Sequence, residues 1–211
     1  MGRSCLTGPA AGTAPANSDE TNLSQMRYSR FMVTDRESVL RAAADFLGRR
    51  PNATQDEIAA AVGVSRATLH RHFAGKPALM AALDDLAIAE MRTAVDAARL
   101  SEGSAADALR RLVAACRPVS PYLALLYSQS QDIDGDQSMQ GWAESDAAIT
   151  ALFERGQRSG EFRPDLTAAW LTEALYSLVA GAGWCIQVGR AAGRDFERMI
   201  SELLLSGVQN S

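Results

Sequence analysis

Cationic and hydrogen-bonding side chains cluster in one short stretch of this 211-residue chain, from Ser65 to Lys76. The stretch holds two arginines, both histidines of the chain and one lysine, and it contains no Asp or Glu. Arginine can bond O6 and N7 of guanine together, and a short side chain such as Ala67 lets a helix lie close to the bases of the major groove. Hydroxyl groups suit phosphates or base edges. The pattern predicts an exposed helix that binds duplex DNA.

Two short helices joined by a tight turn are predicted to position these side chains. Thr54 and Glu57 have the spacing of a capping box, which would begin the first helix. Ser65 is predicted to cap the second helix. In the second helix Leu69 and Phe73 are four residues apart and would face inward. The outward face would then consist of polar, cationic and small residues: Arg66, Ala67, His70, Arg71.

The segment from residue 35 to 80 resembles the helix-turn-helix region of the TetR family of transcriptional regulators. The likeness is carried by TQDEIAAAVGVSRATLHRHFAGK, residues 54–76, with its Gly-Val-Ser turn, Thr-Leu pair and His-Phe pair. Two positions depart from the family pattern: His70 stands where Tyr is commonest, and Gly75 stands where Ser is commoner. The alternative interpretation is two ordinary helices of a bundle with a basic solvated face.

The resemblance implies roles for individual residues. Base edges would be contacted by Arg66 and His70, with Ala67 allowing close approach. Phosphates would be contacted by a second set, namely Thr54, Gln55, Ser65, His72 and Lys76. Thr68 and Arg71 complete the predicted DNA-binding residues.

Composition predicts an all-α globular protein. Hydrophobic residues make up 47% and charged residues 22% of the chain, as in folded proteins, and no alternating strand pattern of any length occurs. Residues 1–80 hold 10 Lys and Arg against 7 Asp and Glu, whereas residues 81–211 hold 11 against 18. A locally basic N-terminal part on an acidic remainder suits a DNA-binding protein, although the net charge is −4.

We expect a disordered tail at 1–28, a three-helix helix-turn-helix DNA-binding domain at 29–76, and a larger helical regulatory and dimerisation domain at 77–211. Thr34 and Glu37 would form a capping box for the first helix. About nine helices are expected in all, and outside residues 54–73 they would span about 35–48, 76–100, 104–116, 122–130, 142–158, 167–188 and 195–205. Residues 160–165 are expected to form a turn.

The predicted helix at 167–188 is apolar on nearly all its faces, so it has to be covered on all of them. We therefore expect it to meet its copy across a two-fold axis together with the helix at 195–205, and the family resemblance implies the same homodimer interface. The alternative is that it forms the central helix of a monomer.

A small-molecule pocket in the C-terminal domain is expected from the resemblance. Pockets of this kind are mostly apolar, so the effector is expected to be hydrophobic or aromatic. The alternative for each candidate lining residue is a place in the core, which helical spacing favours. The candidates are aromatic: Tyr122, Tyr127, Trp142, Phe153, Tyr176 and Trp184.

Catalytic and cofactor motifs are not found in the sequence. Both histidines fall in the predicted DNA-binding helix, and no P-loop, dinucleotide-binding glycine pattern or H-E-x-x-H occurs. The acidic run at 132–139 begins like a calcium loop, but Gln137 and Ala143 stand where its glycine and glutamate are required. We therefore expect neither an enzyme nor a metal or cofactor site, and a solvated loop at 132–139.

Three cysteines without a paired spacing favour a reducing compartment. The N-terminus has no apolar secretion-signal region. The longest uncharged run has 16 residues, fewer than the ~20 that a membrane span requires. A cytoplasmic protein without membrane contact is expected.

Together with the cationic helix, the family resemblance implies a ligand-responsive transcriptional regulator, a repressor, that binds a palindromic operator as a homodimer and is released by a small molecule. The rival hypothesis is a helical small-molecule binding or carrier protein without specific DNA binding.

Overall fold

The structure, a computed structural model, describes residues 35–129 and 135–209, with residues 129 and 135–139 as backbone only. Within these ranges the chain is all-α, as predicted, and no β-strand occurs. The helices are α1 (Arg36–Arg49), α2 (Gln55–Ala61), α3 (Arg66–His72), α4 (Lys76–Ala98), α5 (Ala105–Ala115), α6 (Ser120–Gln129), α7 (Gly135–Arg158), α8 (Ala168–Gln187) and α9 (Phe196–Val208). The predicted tail at 1–28 lies outside the described residues.

We call α1–α3 the head and α4–α9 the body. The predicted domain boundary, at residue 76, coincides with the start of α4. However, the buried side chains of head and body form one continuous hydrophobic core. The division into two domains therefore stays a prediction.

The N-terminal cap of α1 differs from the prediction. The carboxylate of Asp35 accepts a hydrogen bond from the backbone N–H of Ser38 at 3.4 Å, whereas Thr34 lies outside the described residues. The predicted Thr34–Glu37 capping box was therefore wrong, because Asp caps a helix as well as Thr does. The Glu37 carboxylate accepts instead from the Arg41 guanidinium, one turn along α1.

α7 begins seven residues earlier than predicted, at Gly135 rather than near Trp142. The predicted solvated loop at 132–139 is therefore wrong over residues 135–139, and residues 132–134 lie outside the described part. The loop prediction depended on acidic residues, but acidic residues are also favourable in the first turn of a helix. No proline interrupts this segment.

α8 lies at the centre of the body and packs closely against α6. A Cβ on Gly183 would meet the carbonyl oxygen of Ser120, the first residue of α6. A glycine is therefore required where these two helices approach each other. Although α8 is strongly apolar, none of the described helices is long and apolar enough to cross a membrane.

The turn at residues 160–165 was predicted correctly, and it connects three helices. Phe162 is fully buried and the backbone N–H of Arg163 donates to the carbonyl of Val208, at the end of α9, at 2.7 Å. The Glu161 carboxylate accepts from the backbone N–H groups of Ala105 and Ala106 at 3.0 and 3.1 Å. A single turn thereby joins α7 to the start of α5 and to the end of α9.

Candidate nucleic-acid interface

Local signals in the sequence determine the geometry of α2 and α3. The predicted capping box is present: the backbone N–H of Thr54 donates to the Glu57 carboxylate at 2.8 Å, and the Glu57 N–H donates back to the Thr54 hydroxyl at 3.3 Å. Gly63 has φ +74°, a conformation that costs glycine little. The Ser65 hydroxyl accepts from the N–H of Thr68 at 3.1 Å and begins α3. The predicted helix-turn-helix is therefore formed.

α3 separates apolar from polar side chains. Leu69 and Phe73 are buried in the core beneath the helix, as predicted. The residues predicted for the outward face are all exposed: Arg66, Ala67, His70 and Arg71. Cationic and small side chains are thus presented to solvent along one face of the helix.

Arg66 forms an ion pair that was not predicted. Its Nη1 lies 3.1 Å from the Asp56 carboxylate, and the two side chains remain 71% and 63% exposed. The pair joins the first turn of α2 to the first turn of α3. A cation that the sequence assigns to base contacts is therefore held by a neighbouring helix before DNA binds.

The hydroxyl groups of the interface are already hydrogen-bonded within the head. The hydroxyls of Ser65 and Thr68 lie 2.9 Å apart, and Nη2 of Arg71 donates to Thr68 at 3.4 Å. The Thr54 hydroxyl donates to the Glu57 carboxylate at 2.8 Å. The backbone N–H of Thr54, and after it this hydroxyl, lower the pKa of Glu57. A phosphate would have to share or replace these hydrogen bonds.

Three of the predicted DNA-binding side chains do not lie on the exposed face. The Lys76 ammonium donates to the carbonyl of Pro51 at 2.8 Å and is partly buried. The His72 ring is partly buried, with its centroid 6.1 Å from that of Phe73. The side-chain nitrogen of Gln55 is buried and makes no hydrogen bond to the described residues.

Sequence reasoning missed two residues of this interface. The Arg36 guanidinium lies 5.0 Å from the centre of the Phe73 ring, within the range of a cation–π contact. It therefore brings a further exposed cation from α1 to the end of α3. Asp56 is the second residue. Neither Arg36 nor Asp56 belongs to a local sequence motif. Both would have been found only by predicting how α1 and α2 pack against α3.

The body aromatic residues that were predicted to line one pocket separate into different places. Trp142 and Tyr176 meet edge to face with ring centroids 5.8 Å apart. The indole N–H donates to Asp84 at 3.1 Å and the Tyr176 hydroxyl to Asp146 at 2.7 Å. Burial, reinforced by the neighbouring Asp146, raises the pKa of Tyr176. These four side chains form an aromatic–acidic cluster between α4, α7 and α8.

The other four predicted pocket residues have different surroundings. Phe153 is fully buried against Phe162, with ring centroids 5.9 Å apart, which is a core position. The Tyr122 hydroxyl accepts from Arg41 at 3.2 Å and so faces the head. Tyr127 and Trp184 are exposed.

Metal binding has no support in the described part of the chain. Among residues 35–129 and 135–209, no group of three or more His, Cys, Asp and Glu side chains is arranged to hold a metal ion.

A capped helix-turn-helix with a cationic exposed face, attached to a helical body, defines the class of DNA-binding regulators. Comparison with known proteins agrees. Residues 39–83 match the family model for bacterial regulatory proteins of the tetR family. These residues include α2 and α3 completely.

The regulator NfxB of Pseudomonas aeruginosa is 32% identical over 181 residues, which cover 85% of this chain and 97% of NfxB. The repressor LfrR of Mycolicibacterium smegmatis is 26% identical over 160 residues, which cover 76% of this chain and 79% of LfrR. This chain therefore belongs to the TetR family and is a DNA-binding transcriptional regulator.

Solved structures show the same fold. LfrR in complex with proflavine superposes with a TM-score of 0.65 at 23% identity, covering 90% of this chain and 99% of the LfrR chain. PfmR of Thermus thermophilus superposes with a TM-score of 0.62 at 20% identity, covering 84% of this chain and 98% of the PfmR chain.

Proposed function

We propose that this protein is a repressor that binds a palindromic operator as a homodimer and is released by a small aromatic effector. The observation that carries the proposal is the exposed cationic face of α3 in a stretch without Asp or Glu. Such a face complements the major groove. Two copies related by a two-fold axis would bind two half-sites one helical turn apart.

Specific DNA binding can be tested on the DNA upstream of the protein's own gene, with random DNA as competitor and over a range of salt concentrations. We expect a footprint with two-fold symmetry and an affinity that falls steeply as salt rises, because phosphate contacts release counterions. If neither this DNA nor a sequence selected from a random pool is preferred, the DNA-binding proposal is wrong. The rival carrier function would then be favoured.

Arg66 and His70 are proposed to contact base edges, with Ala67 allowing the close approach. Both side chains are exposed. Arg66→Ala is expected to cost ~1–3 kcal/mol and to relax the preference at one base pair. Unchanged affinity and preference on the operator would contradict this role.

The phosphate contacts proposed for Ser65, Thr68 and Arg71 are supported by their place at the exposed start and face of α3. Thr54 and Lys76 would reach phosphates only after releasing their present hydrogen bonds, and Gln55 and His72 only after leaving their partly buried positions. Lys76→Ala is expected to weaken specific and non-specific binding alike. An effect confined to one base position would contradict a phosphate role.

Dimerisation is proposed to use the exposed faces of α8 and α9, as the sequence predicted for 167–188 and 195–205. Trp170 and Leu203 are 60% and 66% exposed, and contiguous exposed apolar surface marks interaction sites. Along α8 the exposed residues recur at helical spacing: Trp170, Glu173, Ser177, Gly181 and Trp184, with Val188 directly after the helix. On α9 a shallow groove is lined by Arg198, Met199, Glu202, Leu203 and Ser206.

Sedimentation of wild type and Leu203→Glu tests this interface. We expect a dimer for the wild type and a monomer for the variant, because a carboxylate at an apolar interface would be buried without a partner. Glu144→Gln, a change at an exposed residue of α7 and thus outside these two helices, should leave the dimer intact. A dimer that persists in Leu203→Glu would place the interface elsewhere.

The effector is proposed to be a planar aromatic cation that contacts the aromatic–acidic cluster. Within the described residues neither Asp84 nor Asp146 forms an ion pair, so both carboxylates can face a cation. The rings of Trp142 and Tyr176 add cation–π attraction. Proflavine, found in the solved LfrR complex, is a dye of this chemical class.

Proflavine titration followed by fluorescence tests this effector class. We expect binding that weakens about tenfold or more in Asp84→Asn combined with Asp146→Asn. Glu154→Gln, which removes an exposed carboxylate from the same helix as Asp146, serves as the control and should bind as the wild type does. Equal binding by the double variant, or no binding of proflavine, would contradict the proposal while leaving operator binding untouched.

A further inference from the structure

Asp56 is the acidic residue closest to the proposed base-reading side chains. It lies in the first turn of α2, and its carboxylate is 3.1 Å from Nη1 of Arg66 in the first turn of α3. From Ile58 to Leu83 the sequence contains no other Asp or Glu. The neighbouring Glu57 is already occupied by the Thr54 capping box. Asp56 is therefore an exposed carboxylate at a surface that otherwise favours phosphates.

Such a carboxylate opposes DNA binding in general, because it repels the phosphate backbone of any sequence. Its contact with Arg66 is also weak in the free protein, since both side chains are well exposed to water. An acidic side chain in the first turn of α2 stabilises that helix through its dipole, but this effect needs no contact with Arg66. The contact itself is explained by the geometry of Asp56 relative to the guanidinium.

The ion pair uses only Nη1 of Arg66. Among the described residues Nε and Nη2 of Arg66 have no hydrogen-bond partner, and these two N–H groups form the edge that can bond O6 and N7 of one guanine. Holding the guanidinium at Nη1 reduces the rotamer freedom that has to be lost on binding. In the water-poor groove the attraction between the two charges also becomes stronger.

We propose that Asp56 is a positioning residue that determines sequence specificity: it orients Arg66 so that its free edge meets guanine, and it lowers affinity for DNA that lacks this guanine. The inference rests on the proposed base-reading role of Arg66. Asp56 itself contacts no base in this proposal. It raises the ratio of specific to non-specific affinity in two ways. It strengthens binding to DNA that contains this guanine, and it weakens binding to DNA that lacks it.

The test compares wild type, Asp56→Asn, Arg66→Ala and the double variant. Each is measured on the operator, on an operator changed at the base pair that Arg66→Ala identifies, and on random DNA. For Asp56→Asn we expect the preference for the unchanged operator to fall about five- to tenfold while affinity for random DNA rises. In the Arg66→Ala background the same substitution should not change the preference further, but it should still raise affinity for random DNA.

Two further variants separate positioning from charge and folding. Asp45→Asn removes one negative charge from the exposed surface of α1, where the carboxylate lies near Tyr122 of the body. It should leave the base preference unchanged. Asp56→Glu keeps the charge and should restore part of the preference. Thermal unfolding of each variant shows whether the head is intact.

The outcomes are distinct. An unchanged preference in Asp56→Asn would overturn the proposal, and so would an equal loss of preference in the Arg66→Ala background, because Asp56 would then contact a base itself. If Arg66→Ala has no effect on preference while the wild type still selects its operator, the assumed role of Arg66 is wrong. If the wild type selects no operator, the proposed function fails before the test begins.

Discussion

Arg41 of α1 and Glu90 of α4 join the head to the body, with Nη2 of Arg41 2.7 Å from the Glu90 carboxylate. The same guanidinium donates to the Tyr122 hydroxyl of α6 at 3.2 Å and to Glu37 of its own helix at 2.9 Å. The hydrogen bonds to Glu37 and Glu90 raise the pKa of Arg41. The orientation of the DNA-binding helices is thereby tied to two helices of the body.

Glu90→Gln is expected to lower the free energy of unfolding by about 1 kcal/mol. Its side chain is only 18% exposed, whereas that of Glu37 is 60% exposed and better screened by water. Glu37→Gln is therefore the control and should change stability by less than ~0.5 kcal/mol. Urea unfolding of both variants measures the difference. Equal losses of stability in the two variants would show that the Arg41–Glu90 contact stabilises the protein no more than the exposed Arg41–Glu37 contact does.

Arg111→Ala is expected to destabilise the body by ~2 kcal/mol. The Arg111 guanidinium donates to the carbonyls of Ala98, Arg99 and Glu102 at 2.6–3.1 Å, so it satisfies the C-terminal end of α4. Arg110→Ala provides a matched control, since among the described residues Arg110 pairs only with the exposed Asp107. Denaturant unfolding should show a larger loss of stability for Arg111→Ala than for Arg110→Ala. A smaller loss for Arg111→Ala than for Arg110→Ala would refute the role of Arg111.

Glu161→Gln should reduce stability at neutral pH but not in acid. The backbone N–H groups of Ala105 and Ala106 lower the pKa of Glu161 from its ordinary value of 4.5. A carboxyl group whose pKa is lowered by folding stabilises the protein above its ordinary pKa, and this contribution is lost as the pH falls through the lowered value.

The pH dependence of unfolding in wild type and Glu161→Gln checks this expectation. The difference between the two proteins should be constant above about pH 5 and should shrink below the ordinary pKa. A difference that stays constant down to the acid-unfolding range would mean that the charge of Glu161 is not what stabilises the start of α5.

Gly156→Ala is expected to cost ~1–3 kcal/mol. A Cβ at this position of α7 would overlap the buried ring of Phe162, and Phe162 is held in place by Phe153. Gly207→Ala in α9 is the control, because nothing lies within 4 Å of a Cβ there, and alanine favours the helix by up to ~1 kcal/mol. Thermal unfolding should show opposite shifts. Stabilisation by Gly156→Ala would mean that α7 and the turn can separate without cost.

The DNA-binding part of the fold was predictable because its signals are local. A capping box four residues long, a glycine at φ +74° and a serine cap determine where α2 and α3 begin and end. The four-residue spacing of Leu69 and Phe73 determines which face of α3 is buried. The exposed cations follow from that spacing without any knowledge of the body.

The predictions of the start of α7 and of the cap of α1 were less accurate. At both places several neighbouring residues are chemically able to begin a helix, so the sequence alone does not single out one of them. Asp35 rather than Thr34 caps α1. The acidic composition before Trp142 likewise fitted both a loop and a first helical turn.

The sequence by itself determined the all-α class, the helix-turn-helix and the cationic face of α3, because caps, turns and helical periodicity act within a few residues. Only the tertiary structure decided which aromatic residues stay together, since Phe153 joins Phe162 in the core while Trp142 joins Tyr176 beside two carboxylates. It also decided that Arg66 meets Asp56 and that Arg41 meets Glu90. These contacts join different helices, and helical periodicity shows which face a residue occupies but not which helix that face will meet.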